Sequence, residues 1–468
     1  MKAFLMARDQ DFDLEAGLPP RAASVIQDLE LEVLFAAMAG GDRFLGAVAR
    51  AAVLTSLGDP AAIRYRQAVL ADCRARAAVV RELYAVAVEA IEGEKHVWGG
   101  LSLSAHTVLR RSVNVLELFV GSLRHLRQIA DVEGAGFSSE GFRRFFAMIA
   151  TELDDPYLAR IVDHLERVRF RDGVTVSAEL GPGNRGWRYV LRRPRRRRRS
   201  WRERLGLGDG SSYVYQVPDR DEAGFAALSA LEDRGIGLAA DALGRSTEHI
   251  LDFFRQLRIE LAFYLACLNL LARLDEAGEP TCVPEPTAAG RPTLVARGLI
   301  DPCLSLIGTG RLVGNDIDAE AASLLMITGA NRGGKSTLLR SLGLAQLMMQ
   351  CGMFVAAASF RADVRRGVFS HFKREEDATL RRGKLDEELA RMSDIVDHLG
   401  SDGLILLNES FASTNEREGS EIARQIVTAL LERGVKVAFV THLYDLADGF
   451  YREGRPDALF LRAGREPD

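Results

Sequence analysis

SLLMITGANRGGKSTLLRSLGLAQ, residues 323–346, decides how this chain folds. It opens as an apolar run that reads as a buried strand and closes as an amphipathic helix; between them Gly329, Gly334, Lys335 and Ser336 satisfy Gly-x4-Gly-Lys-Ser/Thr. Glycines let backbone N–H groups turn inward onto phosphate oxygens, and the helix N-terminus adds its dipole. The spacing predicts a phosphate cradle built from Gly329, Ala330, Asn331, Arg332, Gly333, Gly334, Lys335, Ser336 and Thr337, with Lys335 reaching the terminal phosphates and Ser336 offering its hydroxyl to Mg2+. A glycine-rich turn of no function is the bland alternative, and the strand before and helix after the loop argue against it.

Working outward, LILLNES (404–410) is a second apolar strand, and VKVAFVTH (435–442) is a third. With helices from Lys335 and from about Glu418 between them, apolar strands alternating with helices predict a parallel α/β sheet. In such a sheet a strand end lies beside the nucleotide's metal, where Asp is usual; here Asn408 occupies that place and Glu409 follows. Glu409 is expected to polarise the attacking water and, with Asn408 and Ser336, to face the metal. Asn408 keeps the shape and hydrogen bonds of Asp without its charge, which predicts weaker Mg2+ binding or slower turnover. His442, at the third strand's end, is positioned to sense a γ-phosphate. The plainer readings are that Glu409 caps a loop and His442 is a structural hydrogen-bonder.

Before this region lies AGEPTCVPEPTAAGRPT (277–293), whose Pro, Gly and Thr read as a linker. It places a boundary near 285, between a helical part (1–285) and an ATPase part (286–468). From about 20 to 170 the apolar spacing is helical, and Asp59-Pro60 reads as a helix start. Between 171 and 218 the period changes: VTVSAEL, GPGN and WRYVLRR form two strands and a turn, and SYVYQVP is a candidate third strand. Helices resume at Asp219 and run to about Asp275, with breaks expected near Gly235 and Gly244.

Inside that β-rich insertion, LRRPRRRRRSWRERLG carries nine arginines between Arg192 and Arg204. Arg192, Arg193, Arg195, Arg196, Arg197, Arg198 and Arg199 are candidate contacts to DNA phosphates, because the guanidinium fork binds them bidentately. A solvated basic loop is the competing reading, and Trp201 within the run weighs against it.

The 468 residues allow two to four domains, and 47% apolar with 27% charged residues excludes disordered and collagen-like classes. A net charge of −4 announces no global attraction to nucleic acid. Five scattered cysteines, none in a CxxC pair, fit neither a disulfide framework nor a zinc site. No apolar run approaches the roughly 20 residues of a membrane span, so the expected location is cytoplasmic, at the nucleoid if DNA is bound.

These residues resemble the MutS family of DNA mismatch-repair proteins, whose phosphate loop reads close to GPNMGGKST. GANRGGKST keeps Asn331, Gly333, Gly334, Lys335, Ser336 and Thr337, with Ala330 and Arg332 as changes. The likeness extends through VGNDI (313–317), QCGMFVAAASFRA (350–362), FASTNEREG (411–419) and FVTHLYDLA (439–447), and more weakly through DPAAIRYRQAVL (59–70), which is similar to a lever-core helix start. The resemblance implies an all-α lever and core domain with a reduced DNA-gripping clamp at the insertion, followed by a P-loop ATPase domain of the MutS and ABC type. It implies ATP and Mg2+ as cofactors, DNA as partner and a homodimer sandwiching nucleotide, in which Gly383, Lys384, Ser413, Thr414 and Asn415 contact the partner's nucleotide.

The chain departs from the family in four places. It is too short for the mismatch-reading and connector domains and has no Phe-x-Glu triplet. None of its eight histidines precedes glycine, as the HG motif of the family's nuclease-bearing branch requires. Gly383 and Lys384 stand where the Ser-Thr signature is expected, although HFKREEDATLRRGKLDEELARM (371–392) reads equally well as a solvated helix of mixed charge. Asn408 for Asp is the fourth. The reading that follows is an ATP-driven dimeric clamp on DNA acting in repair or recombination control; the alternative is an ATP-switched scaffold that does not bind DNA directly. A transporter-type or chromosome-structuring ATPase is disfavoured, since neither an LSGGQ-like signature nor long heptad arms occur.

Overall fold

The computed structural model describes residues 1–97, 104–170, 173–184, 186–192, 216–218, 220–308, 312–331, 333–374 and 383–464. Among the described residues eight α-helices come first: α1 (Ala22–Asp28), α2 (Leu31–Ala39), α3 (Arg43–Leu54), α4 (Pro60–Ala75), α5 (Ala77–His96), α6 (Ala105–Glu133), α7 (Glu140–Glu152) and α8 (Asp155–Val168). The expected start of α4 holds: Pro60 is its first residue, and the Asp59 carboxylate accepts from the N–H groups of Ala61 and Ala62 at 3.0 and 3.3 Å. Among the described residues no helix is long and apolar enough to cross a membrane.

The insertion is an antiparallel hairpin of β1 (Thr175–Leu180) and β2 (Gly186–Arg192). The third strand expected at 212–218 falls largely outside the described residues, and Gln216–Pro218 are not strand. After it, α9 runs unbroken from Glu222 to Glu276, 55 residues. The breaks expected at Gly235 and Gly244 are absent. A Cβ at position 235 would sit 2.5 Å from Val176 Cγ2, so this glycine admits β1 to the helix surface, and Gly244 faces open space. One glycine costs about 1 kcal/mol in a helix interior, which a helix this long absorbs through packing.

Contacts divide the chain into two compact units. One holds residues 1–2, 85–133 and 146–257; the other holds 3–84, 134–145 and 258–468. In the first unit, Leu109 of α6 and Ile236 and Ala240 of α9 are buried together, with Phe170, Val174 and Leu191 packed against them.

The second unit contains the two larger sheets. β6 (Leu324–Gly329), β8 (Val368–Phe372), β9 (Leu404–Asn408), β10 (Lys436–Val440) and β11 (Ala458–Ala463) form a five-stranded sheet, order β11-β6-β10-β9-β8, parallel throughout as the sequence predicts. A second, mixed sheet, which the sequence pattern did not reveal, has the order β3-β7-β4-β5: β3 (Glu285–Thr287), β7 (Ser359–Asp363), β4 (Leu294–Leu299) and β5 (Asn315–Asp318). The expected linker is therefore partly strand. The short helix α10 (Pro302–Ile307) joins β4 to β5.

Side-chain alternation divides the parallel sheet's two faces. Leu324, Met326, Ile405, Leu407, Val437 and Phe439 pack in one buried cluster with α12 (Lys384–His398), α13 (Glu416–Glu432) and α14 (Tyr444–Arg452). α11 (Lys335–Gln350) lies on the other face, where a Cβ at Gly343 would come within 2.5 Å of Leu406. The amphipathic helix expected at α11 is buried nearly all round from Leu339 to Gln350, because the N-terminal residues cover its outer side: Leu29 also contacts Gly343, and Leu57 N–H donates to Gln350 O.

Candidate functional site

The site lies beyond the carboxyl ends of β6, β9 and β10, adjacent strands of the parallel sheet. Such strand ends open a crevice where ligands bind. The loop between β6 and α11 needs glycine at two points. Gly329 has φ 122° and a Cβ there would lie 2.8 Å from Ala463 O, while Gly334 has φ 75° at the helix N-cap. Both force the turn that exposes the helix N-terminus to an anion.

Lys335 is 6% exposed, and its ammonium donates to Gly329 O at 3.0 Å and Ala330 O at 2.8 Å. It is held by the carbonyls of the loop it serves. Ser336 Oγ donates to Asn408 Oδ1 at 3.1 Å, bringing the first strand's loop to the end of β9. Two neutral hard oxygens at this spacing suit a hydrated Mg2+, which keeps several waters and demands few protein ligands.

Glu409 follows β9 in a left-handed backbone conformation, φ 52°, and its N–H donates to Val440 O at 2.8 Å. Its Oε1 lies 2.7 Å from His442 Nε2, both side chains about one-third exposed. The carboxylate and imidazole chosen from the sequence thus form one hydrogen-bonded pair. Ser410 Oγ donates to His371 O at 2.7 Å, and a Cβ at Gly419 would stand 2.4 Å from Phe411 O, so the loop is pinned on both sides of Glu409.

Two cavities flank the phosphate loop. One, about 900 Å³, is lined by Asn331, Gly333, Gly334, Lys335 and Thr337 together with Val313, Leu461 and Arg462. The other, about 680 Å³, is lined by Ser336 and Asn408 together with Asp28, Lys384, Glu388, Arg391 and Ser413. Among the described residues no three His, Cys, Asp or Glu side chains form a metal-holding cluster.

The residues expected to act across a dimer lie at the start of α12 and on the loop before α13. Gly383 is the N-cap of α12, with Lys384 its first residue; Phe372 ends β8, so 371–392 is not one helix. Ser413 Oγ donates to Glu388 Oε1 at 3.0 Å, Thr414 Oγ1 hydrogen-bonds to Glu418, and Asn415 caps α13 by accepting from Glu418 N–H at 3.0 Å. Of the arginine run, Arg192 on β2 is exposed and donates to Ser177 Oγ at 2.8 Å. Arg193, Arg195, Arg196, Arg197, Arg198 and Arg199 lie outside the described residues, as does Arg332 of the phosphate loop.

Sequence reasoning missed Asp28, His371, Glu388 and Arg391. Asp28 accepts from Ser370 Oγ at 2.7 Å, and burial raises its pKa above the usual carboxylate value. Burial also pushes the His371 imidazole down to about 4. No spacing pattern marks these residues, because they meet only through the packing of α1, α12 and β8.

Two family profiles match the chain: the MutS2 N-terminal domain over residues 58–277 and MutS domain V over residues 325–455. MutS domain V is a P-loop ATPase domain. Among similar proteins, a probable DNA mismatch repair protein Msh6 of Drosophila melanogaster is 31% identical over 202 residues, 40% of this chain and 17% of its own length. Endonuclease MutS2 of Thermus thermophilus is 36% identical over 127 residues, 27% of this chain and 17% of its own. DNA mismatch repair protein MutS of Methanosarcina mazei is 27% identical over 235 residues, 49% of this chain and 26% of its own. The chain thus spans about a quarter or less of the length of these relatives. With both profiles in sequence along it, and the phosphate loop, Asn408, Glu409 and His442 gathered within the domain V match, the chain belongs to the MutS family.

Proposed function

We propose that this chain is an ATPase that pairs with a second copy through its ATPase parts and uses ATP to open and close around DNA. The observation that carries the reading is the convergence of Ser336 with Asn408 and of Glu409 with His442 at adjacent strand ends beside the phosphate loop. MutS-family proteins bind DNA and act as dimers, which supports the partner and the assembly.

In this reading the loop 329–337 cradles the phosphates, and Lys335 leaves its two loop carbonyls to neutralise charge on the terminal phosphate. Glu409 accepts a hydrogen bond from the attacking water and aligns it, while His442 holds the Glu409 carboxylate and senses the γ-phosphate. Magnesium held at Ser336 and Asn408, with Glu409 facing it, would add positive charge where the phosphate's negative charge develops. Gly383, Lys384, Ser413, Thr414 and Asn415 would meet the partner's nucleotide. Residues 1–285 form the helical levers and clamp, 286–468 the ATPase. Arg192 and the arginines after it would bind DNA phosphates, fixing position rather than sequence.

An ATP-switched protein scaffold is the second reading. One observation favours it: the β1–β2 hairpin displays Leu180 at 80% and Trp187 at 60% exposure, apolar surface that suits a protein partner.

ATP hydrolysis measured with and without a panel of duplex and branched DNAs, at two salt concentrations, tests both readings. The clamp reading expects turnover altered by DNA in a salt-sensitive way, and Glu409→Gln to lower it by about 10²-fold or more while ATP still binds. ATP binding without any DNA effect at either salt would replace the clamp with the scaffold. Undiminished turnover in Glu409→Gln would remove Glu409 from the chemistry.

A further inference from the structure

Ser336 and Asn408 are both neutral, so the metal position they define lacks the Asp carboxylate usual at the end of this strand. One of the carboxylates lining the same cavity is buried. Glu388 of α12 is 4% exposed and lines the 680 Å³ cavity with Ser336 and Asn408. Its Oε1 accepts from Ser413 Oγ at 3.0 Å, and its Oε2 has no hydrogen-bond partner among the described residues. Buried carboxylate oxygens are ordinarily completed by a donor or a cation.

Of the cations on the same cavity wall, Arg340 pairs with Asp301 at 2.7 Å and with Glu30, and Arg391, which is attracted to Glu388, donates from Nη1 to Phe372 O at 3.2 Å. Glu388 is also held in place from behind. Its backbone carbonyl lies 3.2 Å from His371 Nε2, and His371 Nδ1 lies 2.8 Å from Ser410 Oγ, the residue after Glu409. These contacts fasten the Glu388 turn of α12 to the end of β9.

We propose that Glu388 supplies the negative charge toward the nucleotide's magnesium that Asn408 has lost, acting through a water of the hydrated ion. Mg2+ gives up its waters reluctantly, so a carboxylate behind a bound water is an ordinary way to hold it. Outer carboxylates of this kind typically change metal affinity by about 10- to 100-fold when removed. The inference rests on the phosphate-loop reading above.

The test is equilibrium binding of a fluorescent ATP analogue to the full chain, in EDTA and in saturating Mg2+, for the parent, Glu388→Gln, Asn408→Asp and the double variant. Mg2+ is expected to tighten binding to the parent, and Glu388→Gln to reduce that tightening by about tenfold or more while leaving the EDTA affinity unchanged. Asn408→Asp in the Glu388→Gln background should restore the Mg2+ effect, because it returns the charge from the other side. A full Mg2+ effect in Glu388→Gln, or no restoration in the double variant, overturns the proposal. Weakened EDTA binding in Glu388→Gln would make Glu388 a brace for the loop, and also overturns it. Failure of the parent to bind in either condition would instead sink the phosphate-loop reading.

Discussion

Lys436 opens β10 with its side chain only 5% exposed, and replacing it with methionine tests whether its buried charge limits stability. The ammonium donates to Thr293 O at 3.0 Å and lies 3.4 Å from Asp363 Oδ1, yet burial outweighs these contacts and lowers its pKa from 10.5 to about 8. Between those values the unfolded chain holds a proton that the folded chain has released, so stability rises as pH climbs from about 8 to 10.5. By that linkage the charge costs about 3 kcal/mol at pH 7 and under about 1 kcal/mol at pH 10. Lys436→Met keeps the volume and removes the titration. Urea unfolding followed by circular dichroism, run on parent and variant from pH 7 to pH 10, compares the two at each pH so that all other groups cancel. The difference in unfolding free energy should move by roughly 2.5 kcal/mol in favour of the parent across that range. A gap that stays constant would refute the reasoning, showing that Asp363 and Thr293 compensate the ammonium fully.

Gly419→Ala forces a Cβ to within 2.4 Å of Phe411 O, a backbone atom that can move only with the loop carrying Glu409. It should destabilise by about 1–3 kcal/mol and lower ATP turnover while leaving nucleotide affinity near the parent's, read by urea unfolding and steady-state kinetics. Asp59→Ala removes both hydrogen bonds at the start of α4 and should cost about 1 kcal/mol in the same unfolding assay without changing turnover.

The phosphate loop, the parallel sheet and the hairpin insertion were legible because each rests on local pattern: glycine spacing, apolar runs of strand length, and a change of period from helix to strand. LILLN and KVAFV announce buried strands at once. β8 does not, because VFSHF buries every residue, Ser370 and His371 included, and the charged KREED after it suggests a helix. β3 hides among prolines, since its Glu285–Thr287 pairing to Arg361–Asp363 is a long-range fact with no local trace. Gly235 looked like a helix break when its purpose is room for Val176. In the site, Asn408, Glu409 and His442 stand at strand ends and could be picked out singly. Glu388 could not, because its importance depends on which cavity α12 faces and on an oxygen left without a donor.

The strand order also governs when the site can come into being. β6, which carries the phosphate loop, is flanked by β10 and β11, with Leu324 paired to both Val437 and Ala458. More than a hundred residues must therefore be synthesised after β6 before either neighbour emerges. Such distant pairing slows folding, because the entropy of closing a long loop comes before the contacts that reward it. Until then the apolar edges of β6 stand open to other chains, a hazard that fast-closing local strands avoid. On the ribosome, the loop 329–337 can meet His442 and β11 only after both have left the exit tunnel.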